Sequence, residues 1–145
     1  MNVRTVEAED LEDILELAIE YIPQLPGGME YDEDSCTGTF NLLLEGERGT
    51  MLVAEDEGKV IGMLGALKSP FFYNNNYTQA HHWFSYVKDS YKGRGIGKLL
   101  YKAFDDWSEG VSFQSVGAHI NNTSLLDWYE KEGYTLLEYT LIRKT

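Results

Sequence analysis

The chain has 145 residues, a hydrophobic fraction of 43% and three tryptophans, a composition that predicts one globular domain over residues 1–145. Its net charge of −12 argues against a nucleic-acid-binding protein, and no apolar run is long enough to span a membrane. The lone Cys36 excludes an intrachain disulfide, which makes a reducing cytoplasm the expected location.

The first half of the chain predicts two helices between strands. Apolar residues recur at intervals of three and four after residue 10, which is typical of an amphipathic helix. The predicted elements are a strand at 3–6, helices at 11–22 and 39–47, and strands at 51–55 and 60–67. The last two strands are joined at Glu57-Gly58, a hairpin turn signal.

The second half begins with an aromatic and asparagine-rich loop at 70–78. The predicted elements that follow are a strand at 80–87, a helix at 96–108, a strand at 112–120, a short helix at 123–131 and a closing strand at 134–143. The whole order predicts the α/β (α+β) class, with a mixed, mostly antiparallel sheet and helices on both faces.

The most informative segment lies between the fourth predicted strand and the third predicted helix. Three glycines spaced two residues apart, Gly93, Gly95 and Gly97, lie among five of the chain's twelve cations. These cations are Lys88, Lys92, Arg94, Lys98 and Lys102. Glycine lets the backbone turn sharply and approach a ligand, and a helix N-terminus offers unpaired N–H groups to an anion. The segment therefore predicts a pyrophosphate-binding turn.

Two common phosphate-binding loops are excluded by counting residues. A Walker loop would need glycine and then Ser or Thr at positions where the chain has Lys92 and Leu99. A dinucleotide-binding fingerprint would need glycine where the chain has Lys98 or Leu100. The pattern that remains is R/Q-x-x-G-x-G/A on a strand-to-helix turn, with a valine five residues before its first position.

This pattern resembles the acetyl-CoA signature of the GNAT superfamily of N-acetyltransferases. Gly95, Gly97 and Val87 match it, and Lys92 stands where the family usually has Arg or Gln. A second family motif, N-x-x-A-x-x-(L/F)-Y-x-x-x-G-(F/Y), is matched downstream, with Leu125 in place of the alanine. Its other positions are Asn122, Trp128, Tyr129, Gly133 and Tyr134. The two motifs cover the last 65 residues or so.

The resemblance implies a GNAT-like sheet of six to seven strands, flanked by about four helices and splayed between the fourth and fifth strands. It implies an enzyme that transfers an acetyl group from acetyl-CoA to a primary amine by direct attack in a ternary complex. No metal is expected, because the three histidines lack metal-ligand spacing. The implied cofactor-binding residues are Tyr86, Val87, Lys92, Gly93, Arg94, Gly95, Ile96, Gly97, Lys98 and Asn122.

Two catalytic tasks are assigned through the same resemblance. The backbone N–H of Val87 would stabilise the thioester carbonyl oxygen as it becomes an oxyanion. Tyr129 matches the tyrosine that acts as general acid in many family members, although an aromatic packing between helix and sheet would also explain it. Asn122 would contact the CoA arm, cap the last helix, or do both.

Histidine is the candidate for the general base, because no acidic residue lies between Thr78 and Val87. Relatives place a base at the positions of His81 or His82, and histidine suits this task at neutral pH. Adjacent strand residues face opposite sides of a sheet, so only one of the two can easily reach the amine. His81 is favoured, a water chain to a loop carboxylate is the rival, and His119 is a weaker candidate.

The acceptor is expected to be a small-molecule or protein amine that carries positive charge. Residues 1–57 hold sixteen acidic and two basic side chains, a balance of −14. Together with an aromatic wall at 71–73, this field favours a polyamine, an aminoglycoside-like amine, or a protein N-terminus or lysine. Acidity for solubility alone is the other explanation. Neither a nucleic-acid nor a membrane partner is expected, and the chain is predicted to be a monomer or homodimer. The alternative function is a catalytically silent acyl-CoA-binding module.

Overall fold

The computed structural model describes all 145 residues, and their order of elements through the fourth helix is the one that the sequence predicts. The strands are β1 (Asn2–Thr5), β2 (Gly49–Asp56), β3 (Lys59–Phe71), β4 (Asn74–Val87) and β5 (Phe113–Ser115). The helices are α1 (Leu11–Tyr21), α2 (Glu33–Glu45), α3 (Ile96–Trp107) and α4 (Thr123–Lys131). None of these helices has the length and apolar character needed to cross a membrane.

The five strands form one sheet in the order β1-β2-β3-β4-β5. The first three pairs are antiparallel and β4–β5 is parallel, which confirms a mixed, mostly antiparallel sheet. The predicted hairpin turn joins β2 to β3, with positive φ angles of 50° at Glu57 and 78° at Gly58.

Helices cover both faces of the sheet, and each face has its own apolar core. One core joins α3 and α4 to the sheet through Ile96, Leu100, Tyr101, Phe104, Tyr129, Leu64 and Ala80. The other joins α1 and α2 to the opposite face through Ile14, Leu17, Phe40, Leu43, Val53 and Met63. The alternation of strand side chains between faces divides the sheet residues between the two cores.

The predicted start of the second helix was six residues too late, since α2 begins at Glu33 rather than at residue 39. Asp32 caps it, because the Asp32 side chain accepts a 2.7 Å hydrogen bond from the Ser35 N–H. Glu33 and Asp34 in the first turn then stabilise the positive end of the helix dipole. The acidic residues that precede the predicted helix are therefore the start of α2.

The loop predicted at 70–78 was also wrong, because β3 and β4 continue to a tight turn at Phe72-Tyr73. Pro70 is tolerated in β3 because the pairing of β3 with β2 has already ended at Leu67. Phe71 stabilises the tip of this hairpin by packing against Tyr73, with ring centroids 5.7 Å apart.

The sheet has five strands rather than six to seven, because no closing strand forms at 134–143. Of the strand predicted at 112–120, only Phe113–Ser115 pairs in the sheet. β5 stops after three residues, so it offers no long edge on which a closing strand could pair. The last backbone hydrogen bond outside helices and strands joins Tyr134 N–H to the Tyr129 carbonyl. Large apolar side chains beyond it are exposed, namely Leu136, Leu137, Tyr139, Leu141 and Ile142.

Candidate functional site

A cavity of about 890 Å³ lies where β4 and β5 separate. The β4–β5 ladder pairs three residues and ends at His81 and Ser115, whereas β4 continues to Val87. The cavity passes from the glycine turn and α3 on one side to residues 21–26, at and after the end of α1, on the other. The expected splay between the fourth and fifth strands is therefore present, and it leads to the glycine turn.

The glycine turn has the geometry of an anion site. Gly93 and Gly95 adopt left-handed conformations with φ of 79° and 78°, which favour glycine. Gly95 is the N-cap of α3 and provides no side-chain cap, and no acidic residue lies in the first turn. A Cβ on Gly93, Gly95 or Gly97 would meet no atom within 4 Å. The turn is thus open around its glycines, and the first N–H groups of α3 have no side-chain cap, which fits a pyrophosphate.

Two cations of the turn are held beside the cavity by aromatic rings. The Lys92 ammonium lies 4.9 Å from the centre of the Tyr86 ring and forms an ion pair with Asp89. The Arg94 guanidinium lies 4.9 Å from the centre of the Tyr91 ring. These contacts position positive charge next to the first turn of α3, where an anionic ligand would need it.

The backbone of β4 directs one N–H group into the separation between β4 and β5. The Lys88 N–H donates to the Ile61 carbonyl of β3 at 2.9 Å, and Val87 lies opposite Gly62 in the register. Because N–H groups alternate sides along a strand, the Val87 N–H points away from β3. The ladder with β5 has already ended there, so this N–H has no strand partner.

A network of side chains bridges the separated strands at Gly117. The Gly117 N–H donates to His82 Nδ1 at 3.1 Å, and the Gly117 carbonyl accepts from the Tyr101 hydroxyl at 3.1 Å and the Tyr129 hydroxyl at 3.3 Å. The Tyr101 oxygen also lies 3.2 Å from His82 Nε2 and 3.1 Å from Ser85 Oγ. The N–H and the carbonyl of Gly117, on the β5 side, are therefore both held by residues from β4, α3 and α4.

The hydrogen bonds of this network determine the tautomer of His82. A backbone N–H can only donate, so His82 Nδ1 must accept, and the ring proton resides on Nε2. Nε2–H then donates to the Tyr101 oxygen, whose own proton goes to the Gly117 carbonyl. Burial and the neighbouring His81 lower the pKa of His82 to about 4. Both ring nitrogens of a neutral His82 are thus engaged.

This arrangement predicts an acid-sensitive fold. His82 has a folded-state pKa of about 4 and an ordinary unfolded value of 6.5, so the unfolded chain binds more protons between these values. The free energy of unfolding should fall by about 3 kcal/mol as the pH falls from 6.5 to 4. His81 on β4 and the hydroxyls of Tyr101 and Tyr129 are the titratable groups that face this ring or its partner.

Urea unfolding of the wild type and of His82→Asn at pH 7, 5.5 and 4 measures this effect. The difference in free energy of unfolding between the wild type and His82→Asn should become smaller toward low pH. Only the wild type loses stability through this position, because the variant has no imidazole to protonate. Aspartates whose pKa values lie below 3.8, such as Asp10, titrate in both proteins and cancel in the comparison. A constant difference across the three pH values would contradict the assignment.

Tyr129 lies within α4, and Asn122 is the N-cap of the same helix. Burial and the adjacent Tyr101 raise the pKa of Tyr129 well above its usual value, so its hydroxyl is protonated at neutral pH. The Tyr129 ring packs edge-on against Tyr101, with centroids 5.0 Å apart, and only Tyr101 of the two lines the cavity. The Asn122 Oδ1 caps α4 by accepting from Leu125 N–H at 3.2 Å, while its amide nitrogen has no partner in the protein.

His81 lies on the opposite face of β4 from His82, as the alternation of a strand requires. It is exposed, and its Nδ1 lies 2.6 Å from Ser115 Oγ. When Nδ1 carries the proton and donates to the serine, Nε2 keeps a free lone pair. His119 lines the cavity, but its Nδ1 accepts from the Asn121 N–H at 3.2 Å, which places the proton of the neutral ring on Nε2.

The wall that faces the glycine turn across the cavity is formed by the end of α1 and the residues after it. It contains Tyr21, Gln24, Leu25 and Pro26. Gln24 donates to the Tyr86 hydroxyl at 2.9 Å, which in turn donates to Glu20 Oε1 at 2.8 Å.

The aromatic wall expected from residues 71–73 is not part of the cavity. These rings lie at the tip of the β3–β4 hairpin, where Phe72 and Tyr73 are 85% and 84% exposed. The continuation of both strands moves them away from the site. Tyr86, expected among the cofactor-binding residues, directs its ring toward α1 and packs on Tyr21 with centroids 5.0 Å apart.

Sequence reasoning missed three residues that the fold brings to the cavity, namely Ser85, Tyr101 and Gly117. Tyr101 belongs to the apolar stripe of α3, where nothing distinguishes it from a core residue. Gly117 is an isolated glycine within a predicted strand, a pattern that indicates close approach of another group to the backbone. The sequence could therefore have indicated this residue.

Comparison with known proteins supports the same reading of the fold. The sequence model of the acetyltransferase (GNAT) family matches residues 11–134. No curated protein matches the chain.

Several solved structures share the fold at low sequence identity. The aminoglycoside antibiotic 6′-N-acetyltransferase AAC(6′)-Ig from Acinetobacter haemolyticus is 18% identical, with a TM-score of 0.75 over 100% of this chain and 98% of that one. AAC(6′)-Iy, solved with a CoA-containing bisubstrate analogue, is 18% identical, with a TM-score of 0.77 over 99% and 97%. A transcriptional regulator from Bacillus halodurans is 17% identical, with a TM-score of 0.79 over 99% of each chain.

Proposed function

The chain belongs to the acetyltransferase (GNAT) family and is an N-acetyltransferase; from this premise we propose that it transfers an acetyl group from acetyl-CoA to a cationic primary amine by direct attack in a ternary complex. One observation carries the proposal. The separation of β4 from β5 joins an unpartnered Val87 N–H to a cationic helix N-terminus within one cavity. Thioester activation and pyrophosphate binding need these two features side by side.

The donor side of the cavity suits CoA. The pyrophosphate would be bound by the N–H groups of Ile96, Gly97 and Lys98, with Lys92 and Arg94 supplying positive charge. The free amide of Asn122 would donate to the pantetheine arm where the arm passes between the strands. Acetyl-CoA supplies the acetyl group as a thioester.

On this proposal, transfer consists of one bond made and one broken. The amine nitrogen bonds to the thioester carbon, whose oxygen becomes negative and is stabilised by the Val87 N–H. The C–S bond then breaks, and CoA leaves as a thiolate that takes a proton from the Tyr129 hydroxyl. The amine loses its own proton to a base, for which we propose His81, with its Nδ1–H anchored on Ser115.

The acceptor is proposed to be polycationic. Glu20 lies behind the α1 side of the cavity, where it accepts from the Tyr86 hydroxyl and from the Asp89 N–H. Glu20 belongs to residues 1–57, whose excess of fourteen acidic charges attracts ammonium groups. Aminoglycoside acetylation by proteins of the same fold makes an aminoglycoside-like amine the first compound to test, followed by polyamines and lysine peptides.

One assay tests the proposal. Purified protein is incubated with acetyl-CoA and a panel of amines, while free thiol release and thermal stability are followed. Amine-dependent thiol release that weakens with added salt for polycations is the expected result. Stabilisation by acetyl-CoA without amine-dependent thiol would support the silent binding module instead. Equal turnover of neutral and polycationic amines, insensitive to salt, would contradict the cationic acceptor.

The acid assignment predicts a modest effect for Tyr129→Phe. CoA thiolate is already a fair leaving group, because a thiol pKa is about 8.5, so kcat should fall about tenfold while the Kd for CoA is unchanged. Tyr101→Phe is the matched control, since its hydroxyl shares the Gly117 carbonyl. A larger fall in kcat for Tyr101→Phe than for Tyr129→Phe would move the acid to the tyrosine that lines the cavity.

A further inference from the structure

The ladder between β4 and β5 does not simply end after His81; its next contact is made by a side chain. The paired residues are Gln79 with Phe113, Ala80 with Gln114 and His81 with Ser115. The following residue, His82, receives the Gly117 N–H on its ring at 3.1 Å. An imidazole thus stands between two backbones that a continued sheet would hold about 4.8 Å apart.

We infer that His82 is a positioning residue whose ring sets the width of the cleft between β4 and β5 through which the acyl-pantetheine arm of CoA passes. The inference rests on the proposed function for the identity of the ligand. It assigns His82 no proton transfer with the substrate. The ring acts through Gly117, which it holds away from β4.

The surroundings of the ring support a fixed spacer. His82 Nε2 lies 3.2 Å from the Tyr101 oxygen, and Tyr101 donates to the Gly117 carbonyl. The N–H and the carbonyl of Gly117, which belong to consecutive peptides, are therefore both bound to residues that line the cavity. The Tyr101 ring lies 5.2 Å from the imidazole, centroid to centroid, and restricts its rotation.

Gly117 packs close to the His82 ring without a steric clash. A Cβ built at Gly117 would lie 3.5 Å from His82 Nδ1, an ordinary contact distance. Shortening the residue at position 82 would remove the only support of the Gly117 N–H. The β5 side of the cleft would then close toward β4 or lose its fixed position, and the arm would meet a narrower or variable passage.

Comparing the binding of two ligands distinguishes a change in the cleft from a general loss of structure. CoA places its arm in the cleft, whereas the 3′-phosphorylated ADP part of CoA, lacking pantetheine, needs only the glycine turn. For His82→Ala we expect the Kd for CoA to rise tenfold or more, with a change below threefold for the nucleotide. Equal weakening of both ligands would overturn the inference, because a spacer acts on the arm alone.

The conservative variant His82→Asn provides the rescue. An asparagine Oδ1 can occupy the position of Nδ1 and accept from the Gly117 N–H. CoA affinity and the KM for acetyl-CoA should remain within threefold of wild type, and the pH profile of kcat/KM should keep its shape. A hundredfold fall in kcat with a lost acid limb would identify His82 as the base and overturn the inference.

The binding measurements do not require turnover. If the wild type shows no acetyl transfer but binds CoA, the proposed function fails while the two-ligand comparison still tests the spacer. If it transfers acetyl groups and His82→Ala binds CoA as the wild type does, only the inference fails. All measurements are made well below the unfolding temperature of each variant, so that loss of folded protein does not imitate weak binding.

Discussion

Replacing Gly97 with glutamate is expected to make the protein more stable and to weaken acetyl-CoA binding about thirtyfold or more. Gly97 is the second residue of α3, its φ is not positive, and a Cβ there would meet no atom within 4 Å. A side chain therefore fits without strain. Glycine is a poor helix residue, and a carboxylate in the first turn interacts favourably with the helix dipole. Together these terms should add about 0.5–1 kcal/mol to the free energy of unfolding.

The same carboxylate would stand where the pyrophosphate is proposed to bind. It would compete for the N–H groups of the first turn and repel the ligand, an effect of about 2 kcal/mol at partly exposed distances. Calorimetric titration with acetyl-CoA and urea unfolding measure the two changes separately. Stability and binding should move in opposite directions.

Two matched controls test whether the loss of affinity depends on the charge and on the position of the new side chain. Gly97→Gln has the same shape without the charge, and it should lose no more than about threefold in affinity. Gly38→Glu lies within α2 away from the cavity, with equal free space, and it should leave the Kd unchanged. Wild-type affinity in Gly97→Glu would show that the glycine turn does not hold the pyrophosphate.

His81→Ala should lower kcat/KM at pH 7 by a factor of about 10² to 10³, the range typical for loss of a general base. His81 is the histidine of β4 that faces away from α3, and its Nε2 is free to accept a proton when Nδ1 bonds to Ser115. Initial rates measured at pH 7 and at several amine concentrations test this effect.

Ser115→Ala provides a graded control for the same assignment. It removes the partner that orients the His81 ring but leaves the imidazole, so the fall in kcat/KM should be only several-fold. If His81→Ala keeps the wild-type rate, the proton goes instead through water to a carboxylate on the acceptor side. Glu20→Gln would then be the next variant, because Glu20 lies behind the α1 side of the cavity.

The glycine turn, which we propose binds the donor, was predictable because its residues are close together in the chain. Gly93 to Lys98 form a contiguous strand-to-helix turn, so spacing and residue type describe the geometry almost completely. The structure gives this turn two left-handed glycines and an uncapped helix start, as the pattern predicts.

Other predictions failed where tertiary contacts outweigh local signals. The segment at 134–143 contains residues that favour strands, such as Tyr, Thr and Ile, yet β5 is too short to pair with it. The aromatic residues 71–73 suggested a wall for the acceptor, but continuation of β3 and β4 moves them to a hairpin tip. The start of α2 could have been predicted from the sequence, because Asp32 followed by Glu33 and Asp34 is a typical helix start.

The sequence by itself determined the family, the order of elements through α4 and the cationic glycine turn, because each depends on residues within one short segment. Only the tertiary structure decided which β4 histidine has a free nitrogen. His82 is committed to Gly117, thirty-five positions away in the chain, and to Tyr101 on α3. Those bonds exist because β5 leaves β4 after three paired residues. Such long-range polar contacts leave no periodic signal, so the tautomer of a histidine is decided by packing rather than by spacing.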